Sequence, residues 1–442
     1  MNPFRLIESR VRVVLAGVLL APIAGLAAAQ VEAPAAVSAA DTAWVLISAA
    51  LVLFMTFGLA FFYGGLVRKK NTLSVLMQCA MIICLITVQW VAIGYSLSFG
   101  EDVGGLIGGL ELAGLRGVGS EVKAGLTIPH SAFMIFQMMF ALITPALMIG
   151  AFAERMKFTA FCIFMVLWAT LVYDPVAHWV WGGGFLGRLG ALDFAGGTVV
   201  HISAGVSALA AALILGRRRG YPDKISPPHN LPLALLGAGM LWFGWFGFNA
   251  GSALAADGLA VQAFVVTHVA AAVGGLTWSV LDWAFHERPT VLGMITGMVA
   301  GLVAITPAAG FVNIMGALAI GFGAGVFCYL AVAFVKARMG YDDSLDVFGV
   351  HGVGGVWGAL ATGLFATTSV NPAGADGLMF GNPRQFVIQA LTVAVTIVFA
   401  FGMTVVILKA IGAVAQLRAT LEEERLGLDL VEHREVSYTL VD

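Results

Sequence analysis

Charge is scarce in this chain: Asp, Glu, Lys and Arg make up 11% of its 442 residues, where a soluble domain carries about 25%. So few ionised side chains cannot coat a water-soluble body of this size, and 60% of the residues are hydrophobic. Most of the surface must therefore face lipid. A large excess of either sign is lacking too, the net charge being −2, so nucleic acid is not an expected partner. Cysteine is limited to Cys79, Cys84, Cys162 and Cys328, all inside apolar runs. These have neither metal-ligand spacing nor a loop position, and they read as small core hydrophobes rather than disulfides or ligands. No metal and no cofactor is expected.

What the chain has is long apolar runs. The first stands apart: Arg5, Arg10 and Arg12 precede the stretch from Val13 to Leu26, and Ala27-Ala28-Ala29-Gln30 follows. A charged start, an apolar middle and small residues at the end read as a signal peptide over residues 1–29, with an uncleaved helix as the alternative. A membrane helix needs about 20 mostly apolar residues. Eleven further runs qualify: 43–66, 73–99, 128–151, 158–178, 193–215, 231–252, 259–284, 290–309, 313–335, 345–368 and 386–411. The expected fold is an all-α integral membrane protein, with a membrane domain over 41–411 and a tail over 412–442. Its 55 glycines suit helices that pack closely in lipid.

Loop charges orient it. With the mature N-terminus outside, the cytoplasmic loops hold twelve Lys and Arg (among them Arg68, Arg155, Arg218 and Lys336), and the external loops hold four, Arg116, Lys123, Arg188 and Arg384. Positive charge favours the cytoplasmic side, so the N-terminus is expected outside and the tail in the cytoplasm, in the inner (cytoplasmic) membrane.

A faint repeat sets Val199-Val200-His201-Ile202-Ser203-Ala204-Gly205 in span five beside Phe348-Gly349-Val350-His351-Gly352-Val353-Gly354 in span ten. Five is odd, so two five-span halves must lie in opposite senses. That is an inverted five-plus-five repeat with an eleventh helix, a plan that puts the working site between the halves near the midplane. His201 and His351 each sit about 10 Å into a span at 1.5 Å per residue. They are either a pair lining a cavity or two separate histidines bonded to neighbouring helices. His268 has no repeat partner and reads as structural. Asp193, eight residues before His201, suits a helix N-cap and equally an acid above the histidine helping a cation. Trp179, Trp181, Phe136, Phe140, Trp245, Phe246 and Phe248 gather near the outer ends, as an interfacial belt or as a cage for a small cation.

Taken together, Phe62-Tyr63-Gly64-Gly65-Leu66, the run Asp193 to His201, Trp245 to Ser252 and Asp346 to Gly352 resemble the ammonium transporter (Amt/Rh) family, bacterial Amt type, over residues 41 to 411 and into the tail. The resemblance implies a transporter and channel for nitrogen uptake, not an enzyme, with ammonium or ammonia as cargo. It implies an outer substrate site of Trp181, Phe140 and Ser252, a gate of Phe140 and Phe248, twin pore histidines His201 and His351, and a supporting acid, Asp193. Pore-lining positions would be Phe136, Leu241, Trp245 and Val347, with Gln137 beside the turn before the gate. It also implies a homotrimer in membrane lipid. A PII-type signal protein would dock on Arg217–Lys224 and on the tail around Arg425–Asp429, although the sequence after His433 departs from the family pattern.

The chemistry such residues allow is definite. Burying a bare cation costs far more than burying a neutral amine, and burial lowers an amine's pKa by up to about 3–5 units. A dry pore thus pushes ammonium to release its proton, and potassium has none to release. The alternatives are an Rh-like neutral gas channel without charge movement, an ammonium sensor, and a haem protein with histidine axial ligands, for which no attachment pattern exists.

Overall fold

Lipid offers the backbone no hydrogen bonds, so a spanning segment must satisfy every N–H and C=O within itself, which makes it a helix. The computed structural model describes residues 36–223 and 227–438. The expected signal peptide lies outside the described residues. Eleven apolar helices follow one another: α1 Ala39–Leu66, α2 Lys69–Phe99, α3 His130–Phe152, α4 Phe158–Leu189, α5 Gly197–Leu215, α6 Leu231–Ala253, α7 Gly258–His286, α8 Val291–Ile305, α9 Ile314–Met339, α10 Phe348–Phe365 and α11 Pro383–Val414. Ten are long enough to cross a membrane; α8 has 15 residues and ends four before the expected boundary at 309 because Thr306–Phe311 turns away as a loop. Two short helices, α12 Leu421–Leu426 and α13 Leu428–His433, form the tail.

Short polar side chains open these helices by accepting the orphan N–H groups of the first turn. Asn230 Oδ1 accepts from Leu233 N at 2.9 Å, Thr290 Oγ1 from Gly293 N at 2.9 Å and Asn313 Oδ1 from Gly316 N at 3.0 Å. Successive helices alternate in direction, which defines a loop face, carrying residues 100–129 and 366–382, and a tail face, carrying 67–68, 216–223, 227–230, 340–347 and the described part of the tail. The loop face includes a small hairpin, β1 Asp102–Val103 with β2 Ile107–Gly108.

Two pairs of helices five apart share the same irregularity. A π-turn interrupts α4 at Ala169–Tyr173 and α9 at Ala331–Val335, and another opens α5 at Gly197–Ile202 and α10 at Phe348–Gly352. α5 and α10 enter from opposite faces, as the inverted repeat requires. Glycine sets how near they come. A Cβ on Gly205 of α5 would collide with the backbone N of Gly352 and lie 2.5 Å from its Cα and 2.8 Å from the carbonyl carbon of His351. α1 and α6 pack about as closely, a Cβ on Gly237 falling 2.6 Å from both Gly58 O and Phe62 Cα. Trp44 Nε1 pins one end of that pair to Ala250 O at 3.2 Å, and Asn230 N pins the other to Gly65 O at 3.1 Å. Of the cysteines, Cys79 and Cys328 are buried and Cys162 is half-buried, while Cys84 is exposed on the outer surface of α2 and is not a core residue.

Candidate functional site

Three spaces follow one another from the loop face to the tail face; the second and third share Phe62, Val299 and His351 as walls, and Phe140 and Phe248 separate the first from the second. The first is a depression of about 350 Å³ walled by Phe133, Gln137, Phe140, Trp181, Phe194 and Ser252, with Asp193 beneath. Trp181 is held in place by its indole N–H, which donates to the backbone oxygen of Asp193 at 2.8 Å. Ser252 Oγ donates to Phe248 O at 2.9 Å, which leaves its lone pairs free to face a cation. The Asp193 carboxylate is committed elsewhere. Oδ1 accepts from Gly196 N at 2.8 Å and Gly197 N at 2.6 Å; Oδ2 accepts from Thr198 N at 2.8 Å and Val199 N at 3.1 Å. One side chain thus satisfies four orphan donors of the π-turn that carries His201.

Phe140 and Phe248 close the floor of the depression. Their rings lie 4.3 Å apart, each residue is 1% exposed, and Trp181 at 5.9 Å and Phe136 at 5.0 Å both meet Phe140 edge-on. Behind them is a slot of about 10 Å³, near the minimum for a single water. Met55, Leu59, Ile143, Leu147, Leu241 and Val299 make apolar walls, and His201, His351 and Trp245 supply the only polar atoms.

The two imidazoles form a pair. Nδ1 of His201 and Nδ1 of His351 are 3.3 Å apart, with ring centres 5.3 Å apart and planes inclined by 22°. One Nδ1 must carry a hydrogen and the other must not. His201 stacks on Trp245 at 5.4 Å, whose indole N–H donates to Thr306 Oγ1 at 2.9 Å. His201 lines the slot, and its Nε2 has no partner among the described residues. Beyond His351 the space widens into a vestibule of about 360 Å³ on the tail face, lined in part by Tyr63, Val347, Lys336 and Asp346.

Every residue picked out for the path from the sequence lines it or packs against its lining. Three others considered there do not. Trp179 turns away, its N–H donating to Leu106 O at 2.7 Å. Phe246 stacks on Phe264 at 3.9 Å on the outer side of α6 and α7, and His268 lies exposed beside Trp242. One acid was missed. Asp343 stands eight residues before His351, as Asp193 stands eight before His201, and its Oδ2 accepts from Phe348 N at 2.7 Å at the start of α10. That spacing was a signal available in the sequence. Burial, with the Asp346 carboxylate adding to it, pushes Asp343 up to about 6 against the pull of Lys336.

The basic loop and the tail meet on the tail face. Glu424, buried on α12, accepts from Arg418 Nη2 at 2.6 Å and from Arg219 N at 3.1 Å. Asp429 Oδ1 accepts from Ser74 N and Leu428 N donates to Asn71 Oδ1, both at 2.8 Å. Lys224 lies outside the described residues.

Comparison with known proteins points one way. Residues 43–438 match the model of the Ammonium Transporter Family. An ammonium transporter of Bacillus subtilis is 54% identical over 399 residues, covering 90% of this chain and 98% of the relative. The crystal structure of Saccharomyces cerevisiae Mep2 superposes with a TM-score of 0.81 at 37% identity, over 87% of this chain and 88% of that one. A sensor Amt protein gives 0.83 at 32%, over 89% and 98%. With its fold, its π-turned histidine helices and a match along nearly the whole described chain, this protein belongs to the ammonium transporter family.

Proposed function

We propose that this ammonium transporter takes its substrate as the cation on the loop face and passes it inward as ammonia. Trp181, Phe140 and Ser252 hold ammonium at the mouth, through ring faces that attract a small cation and a hydroxyl lone pair. Phe140 and Phe248 then part to admit it. In the slot the ion meets no counter-charge and no room for a water shell, so it gives up its proton. Ammonia moves along Phe136, Leu241, Trp245 and Val347, with His201 and His351 as its polar stations, and the released proton follows along the imidazole pair. Asp193 supports the mouth by fixing the backbone from Gly196 to Val199. Potassium is recruited but not passed, having no proton to release.

The observation that carries this is the narrow apolar slot behind Phe140 and Phe248, whose polar side-chain atoms belong to two imidazoles 3.3 Å apart and one tryptophan. The excess of Lys and Arg on the tail face supports placing that face in the cytoplasm of an inner-membrane protein, with residues 1–29 as its signal peptide. The same face, where α12 meets Arg217–Arg219, is the surface a PII-type protein would cover, and the family resemblance supports a homotrimer with one pore per subunit.

The test is an ammonium jump on proteoliposomes, recorded as transient current for wild type and His201→Ala, with potassium as the control ion. Ammonium current in wild type with none from potassium is the expected result, and potassium current in His201→Ala would place selectivity at deprotonation. Ammonia permeation by internal pH without any current would replace this mechanism with a neutral gas channel.

A further inference from the structure

The outer depression has a fixed cation beside it. Lys123, in the long loop between α2 and α3, sets its ammonium over the ring of Phe133 at 4.7 Å from the centroid. Phe133 is a wall of the depression, and Phe99, another wall, meets it edge-on at 5.1 Å. Among the described residues no carboxylate lies within salt-bridge distance of Lys123. The side chain is half-buried, and lost hydration holds its pKa below the ordinary lysine value. Its neighbour His130 is engaged with the Tyr95 hydroxyl at 2.6 Å and offers no negative charge.

A lysine head group is chemically a tethered ammonium: compact, singly charged and rich in N–H donors. One without a carboxylate partner, set behind a wall of a cation-collecting mouth, opposes every cation that enters. Resting on the outer-site reading above, we propose that Lys123 is an affinity-setting residue, an unneutralised charge that lowers occupancy of the mouth by small monovalent cations and so raises the concentration at which transport saturates. A cation on the far side of the Phe133 ring stands on the order of 8–10 Å from Nζ, and repulsion over that span amounts to roughly two- to tenfold in occupancy at low salt. Such an effect acts alike on ammonium and methylammonium, and it does not act on neutral ammonia.

The experiment measures current against ammonium concentration in proteoliposomes of the full chain, for wild type, Lys123→Gln, Lys123→Arg and Trp181→Leu, at low salt and at roughly 0.3 M sodium chloride, where an exposed charge is largely screened. Lys123→Gln is expected to lower the half-saturating concentration two- to tenfold at low salt with the saturating current kept. The gap closes at high salt, and Lys123→Arg behaves as wild type. Equal half-saturation for Lys123→Gln and wild type at low salt, or equal shifts for the Gln and Arg variants, would overturn the proposal and leave Lys123 as an anchor for its loop. Trp181→Leu separates the two ideas: if it leaves half-saturation unchanged, the outer-site reading fails; if it raises half-saturation while Lys123→Gln does nothing, only the role of Lys123 fails.

Discussion

Gly205→Ala adds one methyl group where α5 and α10 cross, at the closest approach of the two histidine helices. The new Cβ would lie 2.5 Å from Gly352 Cα and 2.8 Å from the carbonyl carbon of His351, closer still to Gly352 N. These are backbone atoms, so no side chain can rotate away. Ordinary contact begins near 3.4 Å, and the helices must therefore separate by about 1 Å, an overpacking cost of roughly 1–3 kcal/mol. That is affordable within a total stability of about 5–15 kcal/mol, so the protein is expected to fold with an unchanged helical spectrum and a lower Tm. The histidine pair has no such margin. Moving Nδ1 from 3.3 Å to beyond about 4 Å breaks the hydrogen bond, and the ammonium current should fall at least about tenfold, the equivalent of one such bond at roughly 1.4 kcal/mol. Gly239→Ala is the matched control, because nothing lies within 4 Å of its added Cβ and alanine is the better helix former by about 1 kcal/mol. It should keep the current and hold or raise Tm. A Gly205→Ala protein with wild-type current would refute the claim that this crossing sets the pair.

Asp193→Asn keeps the shape but presents an NH2 to two of the four backbone donors at the start of α5. Losing two charge-assisted bonds costs roughly 3–6 kcal/mol, so thermal denaturation should show a larger fall in Tm than for Gly205→Ala; an unchanged Tm would mean the cap is dispensable. Asp343 gives a pH dependence. Its folded pKa, raised from 3.8 to about 6, means that the folded state holds the proton more tightly between those values. Stability from this group is therefore present below pH 3.8 and is lost as pH rises through about 6. Asp343→Asn keeps an acceptor for Phe348 N, and its Tm should gain on wild type as pH rises from 4 to 6, with no further change above; parallel curves would disprove the assignment.

The helices were legible because a membrane leaves one solution for an apolar run, and the histidine pair was legible because a repeat placed both residues at one ordinal position. The detail that unites them was not. Nothing in the composition of Gly197–Ile202 or Phe348–Gly352 distinguishes a π-turn from an α-turn, and hence the expected starts at 193 and 345 fall a few residues early. The slot's walls were hidden for another reason. Leu59, Ile143 and Leu147 are ordinary apolar residues on helices that are apolar almost all round, so no periodicity marks the side that faces a pore. Trp179 and Trp181 show the limit of local reading: two residues apart, one is spent on a loop carbonyl and the other edges the mouth.

The facing Nδ1 atoms also carry a bookkeeping rule for protons. In the neutral pair one ring donates from Nδ1 and leaves its Nε2 bare, while the other accepts at Nδ1 and keeps its hydrogen on Nε2. A proton arriving at the bare end and leaving at the far end moves the shared hydrogen across and exchanges the two tautomers. The chain is then set the wrong way round for the next proton coming from the same side. On the relay proposed above, both rings must rotate before a second proton can pass, since a proton running back would only cancel the first passage; the pair would then act as a turnstile reset once per ion, with the reset time rather than the width of the slot setting the ceiling on coupled turnover.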